Sequence, residues 1–175
     1  MRKTSVVLLG LILILTAAVT APGKGEQPTT GPAWFDMVNC SFCKHLGTQE
    51  GLLDHITWEH YDIANGLVSI TTVDPQYKEP YLKAMAAMEQ VGKDLEAGKR
   101  TMADTPMCGF CTAYGMLMMS GAKIEYVQGK NADIVLITSD NPEMVKKIKE
   151  YGERTRTELA VLQAAKEATA KEKTQ

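Results

Sequence analysis

Cys40-Ser-Phe-Cys43 and Cys108-Gly-Phe-Cys111 open two stretches of this chain that repeat one another in order. The cysteine pairs match at a shift of 68 residues. Trp58-Glu-His-Tyr61 then matches Ile124-Glu-Tyr-Val127 at 66, and Leu67-Val-Ser-Ile-Thr-Thr72 matches Asp133-Ile-Val-Leu-Ile-Thr138 at the same shift. Asp74-Pro75 finally matches Asn141-Pro142 at 67. Four matches in one order, with so little drift, point to a duplicated unit. Two copies are too few for a solenoid, so the expectation is a single pseudo-twofold domain.

Each copy reads as helix, strand, strand, helix. In the first, Pro32 suits the opening turn of a helix, and Trp34, Phe35, Val38, Phe42 and Leu46 follow at helical spacing until Gly47 and Gly51. Residues 56–61 read as a strand, and residues 67–73 as its return. Asn65-Gly66 between them predicts a type I′ hairpin turn, because both residues tolerate positive φ. Asp74 then caps a helix with Pro75 at its first position, and Tyr77, Tyr81, Met85, Met88 and Leu95 supply its buried stripe.

The second copy follows the same order. Thr105-Pro106 opens a helix through Met107, Phe110, Tyr114 and Leu117, which Gly121 ends. Residues 123–127 and 134–137 read as strands, with Gly129 in the turn; the second is apolar enough to lie centrally in a sheet. Asn141 caps the last helix, whose stripe runs through Val145, Ile148, Gly152, Thr155, Leu159 and Leu162. Two hairpins cannot bury their faces alone. The predicted fold is therefore α+β, a duplicated helix-hairpin-helix unit forming a mainly antiparallel four-stranded sheet packed with helices.

Outside the repeat, Arg2 and Lys3 precede an apolar run of 14 residues from Val6 to Val19. That is the pattern of a signal peptide or N-terminal anchor over residues 1–21, short of the roughly 20 residues of a comfortable span. Small residues place a cleavage so that the mature chain starts between Val19 and Pro22. Residues 22–31 read as a flexible lead-in. The duplicated domain then covers 32–163, copy one 32–99 and copy two 105–163, with a joint running from Gly98 to Asp104. Residues 164–175 read as a polar frayed tail. The expected address is the periplasm or cell envelope, soluble after export. Net charge is -2, and basic residues form no patch interleaved with aromatics, so nucleic acid is not an expected partner.

All four cysteines fall in the two Cys-x-x-Cys pairs. On a helix, i and i+3 side chains share a face, so both thiols of a pair can reach one ion or one another. Three readings follow. Cys40, Cys43, Cys108 and Cys111 form one tetrahedral thiolate site for zinc or iron. Alternatively, each pair handles copper(I), completed by His45 or Met107, with His55, His60, Met102, Met116, Met118 and Met119 nearby in sequence. Or the pairs are disulfides, exchanging or structural, as an oxidising compartment permits.

Cys108-Gly-Phe-Cys111 resembles the active-site motif of thioredoxin-like disulfide exchange proteins of the cell envelope. That resemblance covers four residues and implies Cys108 as attacking thiol and Cys111 as resolving thiol. In that family the motif follows an early strand and a cis-proline faces it, whereas here the order is helix, hairpin, helix.

Glu59 and Glu125 occupy matching strand positions, where a solvated sheet face explains them. No phosphate-binding glycine loop, zinc-hydrolase helix or haem-attachment motif occurs. The function that results is exported binding of a thiophilic metal ion, with a protein that donates or accepts the metal as a further candidate partner. The rivals are thiol-disulfide exchange and a disulfide-stabilised scaffold or small-ligand binder.

Overall fold

β-branched side chains dominate the two returning segments of the repeat, and these become the central strands. The computed structural model describes residues 32–172; the expected leader (1–21) and lead-in (22–31) lie outside the described residues. The strands are β1 (Ile56–Ile63), β2 (Gly66–Val73), β3 (Lys123–Gln128) and β4 (Ala132–Thr138). The helices are α1 (Lys44–Gly47), α2 (Lys78–Glu96), α3 (Gly109–Met119) and α4 (Pro142–Glu172), with 3-10 turns at Leu52–Asp54 and Pro75–Tyr77. All four strands pair antiparallel in one sheet of order β1-β2-β4-β3, the α+β arrangement expected of the repeat.

The register carries the duplication. Trp58 faces Thr71 in the first hairpin, and 66 residues further on Ile124 faces Ile137 in the second. At the seam Ser69 pairs with Val135, its own equivalent in the other copy. The pseudo-twofold axis therefore passes between these two residues. Because a strand's side chains alternate, Ile56, Trp58, Leu67, Val73, Ile124, Val135 and Ile137 share one face. Leu46, Leu52, Tyr81 and Ala84 pack on its first half, and Leu117, Met144, Ile148 and Tyr151 on its second.

Several local expectations are corrected. The first helix shrinks to α1, while residues 33–36 are irregular and 37–39 and 41–43 form turns. Asp36 diverts the backbone: its carboxylate accepts the N–H groups of Val38 at 2.9 Å and Asn39 at 2.7 Å, competing with helical bonding. Val38, expected inside, is 78% exposed. The second copy's helix starts at Gly109 rather than at Pro106, with Cys108 as its extended N-cap.

The hairpin turn consists of Ala64 and Asn65, since Ile63 pairs with Gly66, and no described non-glycine residue has positive φ. A type I′ turn at Asn65-Gly66 is thereby excluded. Gly66 serves another purpose: a Cβ there would overlap the carbonyl oxygen of Ile137 in β4. Asp74 does not cap with its side chain, because its carboxylate binds His55 Nδ1 at 2.6 Å. Asn141 does cap, accepting from the N–H of Glu143 at 2.9 Å.

The buried stripe of α2 is Tyr81, Ala84 and Val91, with Tyr77 and Met88 beside it and Met85 exposed. That of α4 is Met144, Ile148, Tyr151, Gly152 and Thr155, with Leu162 exposed. The polar stretch from 164 prolongs α4, where Lys166 donates to the Leu53 carbonyl at 2.8 Å and pairs with Asp54 at 3.0 Å. Arg156 ties α4 to β1 through Asp62 at 3.0 Å. Next to it the β1 residue His60 is 8% exposed, and no described residue hydrogen-bonds its Nδ1.

Gly66→Ala is expected to destabilise the fold by about 3 kcal/mol, because backbone rather than a flexible side chain would have to move. Gly92, in α2 with open space around its Cα, should gain roughly 0.5–1 kcal/mol as Gly92→Ala. Urea denaturation of both variants checks the pair. Burial, and then the Arg156 charge, hold the His60 imidazole down to about 4, below its usual 6.5. Between those values the unfolded chain binds a proton that the folded chain refuses, so the stability present above pH 6.5 falls as pH drops towards 4 and levels out below. The loss is roughly 3 kcal/mol. His60→Leu should flatten that part of a stability-versus-pH curve.

Candidate metal centre

Both cysteine pairs stand at the start of a helical turn. The Cys40 carbonyl accepts the N–H of Lys44 at 3.1 Å, and the Cys108 carbonyl accepts that of Thr112 at 3.0 Å. The two pairs thus keep equivalent backbone settings even though α1 is short. Backbone bonds lock the two starts together. Ser41 N–H donates to the Pro106 carbonyl at 2.8 Å, while Gly109 and Phe110 N–H donate to the Ala33 and Trp34 carbonyls at 2.9 Å each. Residues 33 and 34 in this way satisfy the first donors of α3, which no intrahelical acceptor can reach.

The consequence is convergence. All four Sγ atoms lie within 4.8 Å of one another. Cys43 Sγ is 3.7 Å from Cys108 Sγ and 3.4 Å from Cys111 Sγ. A disulfide requires about 2.05 Å, and all four cysteines are free, so the disulfide expectation is not met. Metal–sulfur bonds of about 2.3 Å at tetrahedral angles set sulfur–sulfur edges of roughly 3.8 Å. The spacing found here is that of ligands around one ion.

Cys40, Cys43 and Cys108 are 1%, 3% and 2% exposed, and Cys111 is half-buried. Met37, Phe42 and Phe110 pack against the thiols. Cys43 N–H points at Cys40 Sγ at 3.5 Å, and the Cys111 backbone N–H favours the Cys108 thiolate in the same sense. Such N–H···S bonds favour thiolate over thiol.

Charge within the cluster is shared unequally. A hydrogen bond from Cys111 is the largest influence pulling the Cys108 thiol down to about 6, and one from Cys108 does most to pull Cys40 down. Cys43 and Cys111 are pushed up, first by Cys108. Four thiolates this close cannot all carry charge without a cation among them. Burial, reinforced by Tyr114 and the thiols, also holds the Tyr151 hydroxyl neutral.

The other sequence candidates have separate surroundings. His45 lies half-buried on α1 and does not join the four-sulfur group. Met107 is half-buried just before Cys108, yet the methionine against the thiols is Met37. Sequence reasoning missed Met37, although its place three residues before Cys40 was the available signal. His55 stacks on Tyr77 with centroids 4.1 Å apart, and His60 lies under α4. Met102, Met116, Met118 and Met119 are exposed. Glu59 accepts the Tyr61 hydroxyl at 2.7 Å.

No family model, curated protein or solved structure matches this chain. Among the described residues no helix is long and apolar enough to cross a membrane, and no peptide bond is cis. The thioredoxin-like resemblance makes Cys108 the attacking thiol, but Cys108 is enclosed and Cys111 is the more accessible one.

In reduced, metal-free protein, iodoacetamide should modify all four thiols at least about tenfold more slowly than in the urea-unfolded chain, because Cys40, Cys43 and Cys108 are enclosed and the more open Cys111 is held protonated. Timed quenching with peptide mass mapping reads the rates, and labelling of any of the four at the unfolded rate would contradict the geometry.

Proposed function

We propose that Cys40, Cys43, Cys108 and Cys111 bind one thiophilic ion, zinc or iron, in a domain that works outside the cytoplasm. The observation that carries this reading is the meeting of four free thiols, two from each copy, at ligand spacing in a buried setting. An all-sulfur tetrahedral set suits zinc or a single iron. No open coordination position remains for a substrate or water, so the ion's role is structural or sensory.

The ion supplies the positive charge that lets all four thiols ionise. The chain supplies three enclosed sulfurs, N–H donors to them, and the Phe42 and Phe110 rings that limit water. The segment 33–47 has little helix of its own, and the site would join it to the start of α3. His45 and Met107 are not required once four sulfurs are present. Copper(I) handling is less well supported, because the exposed methionines of α3 do not pack against the thiols. Export rests on the leader pattern of residues 1–21.

Protein isolated without oxygen should carry about one zinc or iron per chain, and Cys40→Ser or Cys108→Ser alone should abolish tight binding. Element analysis with thiol counting checks both. Two independent sites would instead leave half the metal in each variant. Binding must release thiol protons, so affinity should fall as pH is lowered, and a pH series of competition titrations tests that sign.

A further inference from the structure

Among the described residues, the helices cover one face of the sheet and none packs on the other. Cross-strand pairing lays it out in rows. Glu59, Ile70, Ile134 and Val127 stand side by side in one row, and Tyr61, Val68, Leu136 and Glu125 in the next. None of these side chains enters the clusters that form the core. Tyr61 is 52% and Val127 50% exposed. The pseudo-twofold axis relates the rows, so an apolar band crosses the sheet with a carboxylate at two diagonally opposite corners.

We propose that this open face is the interface of a homodimer, two copies stacking sheet against sheet. Three properties favour a second copy over another occupant. A twofold dimer needs a patch complementary to itself, and this patch is apolar at its centre and repeats about its own axis. Its size also suffices. Four strands of six to eight residues make a face of about 450 Å² as a flat rectangle. Side chains standing off it bring the accessible area towards the roughly 600 Å² per partner at which specific interfaces begin.

Charge is the third property. Lys123 stands one row beyond Glu125, bonded to Asp140 at 2.6 Å and still exposed. In the orthogonal mode, one of the two crossing angles that packed sheets adopt, strand spacing brings Lys123 of each copy to within about 5 Å, in projection, of a corner carboxylate of the other. The two acidic corners, in contrast, repel an anionic lipid surface.

Sedimentation equilibrium on the purified, metal-loaded chain tests the proposal. The expected mass is that of two chains at ~100 µM, with dissociation on dilution. Tyr61→Lys, an exposed position whose change leaves the core untouched, should weaken association at least about tenfold, as should Ile134→Lys. Met119→Lys, exposed on the helical side, should leave the dimer intact while all three variants retain the wild-type metal content. A wild-type chain that stays monomeric at ~100 µM overturns the proposal, as does a dimer that Tyr61→Lys leaves unchanged or Met119→Lys disrupts. Metal content is read separately, so loss of the dimer and loss of the metal site are distinguishable.

Discussion

The antiparallel pairing of β2 with β4 about Ser69 and Val135 is the constraint from which the rest of the structure follows. Each hairpin alone would leave an edge unpaired and a face wet. Joining the two returning strands removes one edge from each hairpin and makes a face wide enough to carry four helices. Because a residue meets its own equivalent there, a feature near one copy's helix start is brought round towards the same feature of the other. The seam tolerates no Cβ at residue 66, where one would overlap the Ile137 backbone of β4.

The meeting of the cysteines is a product of that symmetry and of its imperfection. α3 is a full helix, but its counterpart is only the single turn α1. The missing helix frees residues 33 and 34 to cap α3 with their carbonyls, and Ser41 to reach Pro106. These three bonds draw the two cysteine pairs into contact. In apolar surroundings this contact has two stable outcomes, one with some thiols protonated and bonded to neighbouring sulfurs, the other with a cation and four thiolates. Metal binding would thus stabilise the most irregular part of the fold, since any ligand that prefers the folded state does so.

Much of this was legible in the residues. Repeated strand patterns and Asn141-Pro142 predicted the element order, and the paired Cys-x-x-Cys offered the four thiols as one group among three readings. Local competition defeated the remaining expectations. The apolar spacing from Trp34 to Leu46 was helical, but the Asp36 carboxylate captured backbone donors that a helix needed. Asp74 looked like a cap until His55, brought close by the turn ahead of β1, took its oxygen. Asn65-Gly66 read as a turn by conformational preference, whereas the glycine answers to a strand 71 positions away in the chain.

The order of residues alone decided that there are two copies, which segments are strands, and that all the thiols lie in two matched pairs. Those properties rest on periodicity and spacing, which are local. Strand order, convergence of the pairs, the enclosure of Cys108 beside a more open Cys111, and the burial of His60 under α4 came from tertiary structure. Each depends on which surfaces meet across the pseudo-twofold axis. Spacing along a chain limits what two residues can do together, but distance and solvent exposure between copies are set only when the sheet closes at its seam.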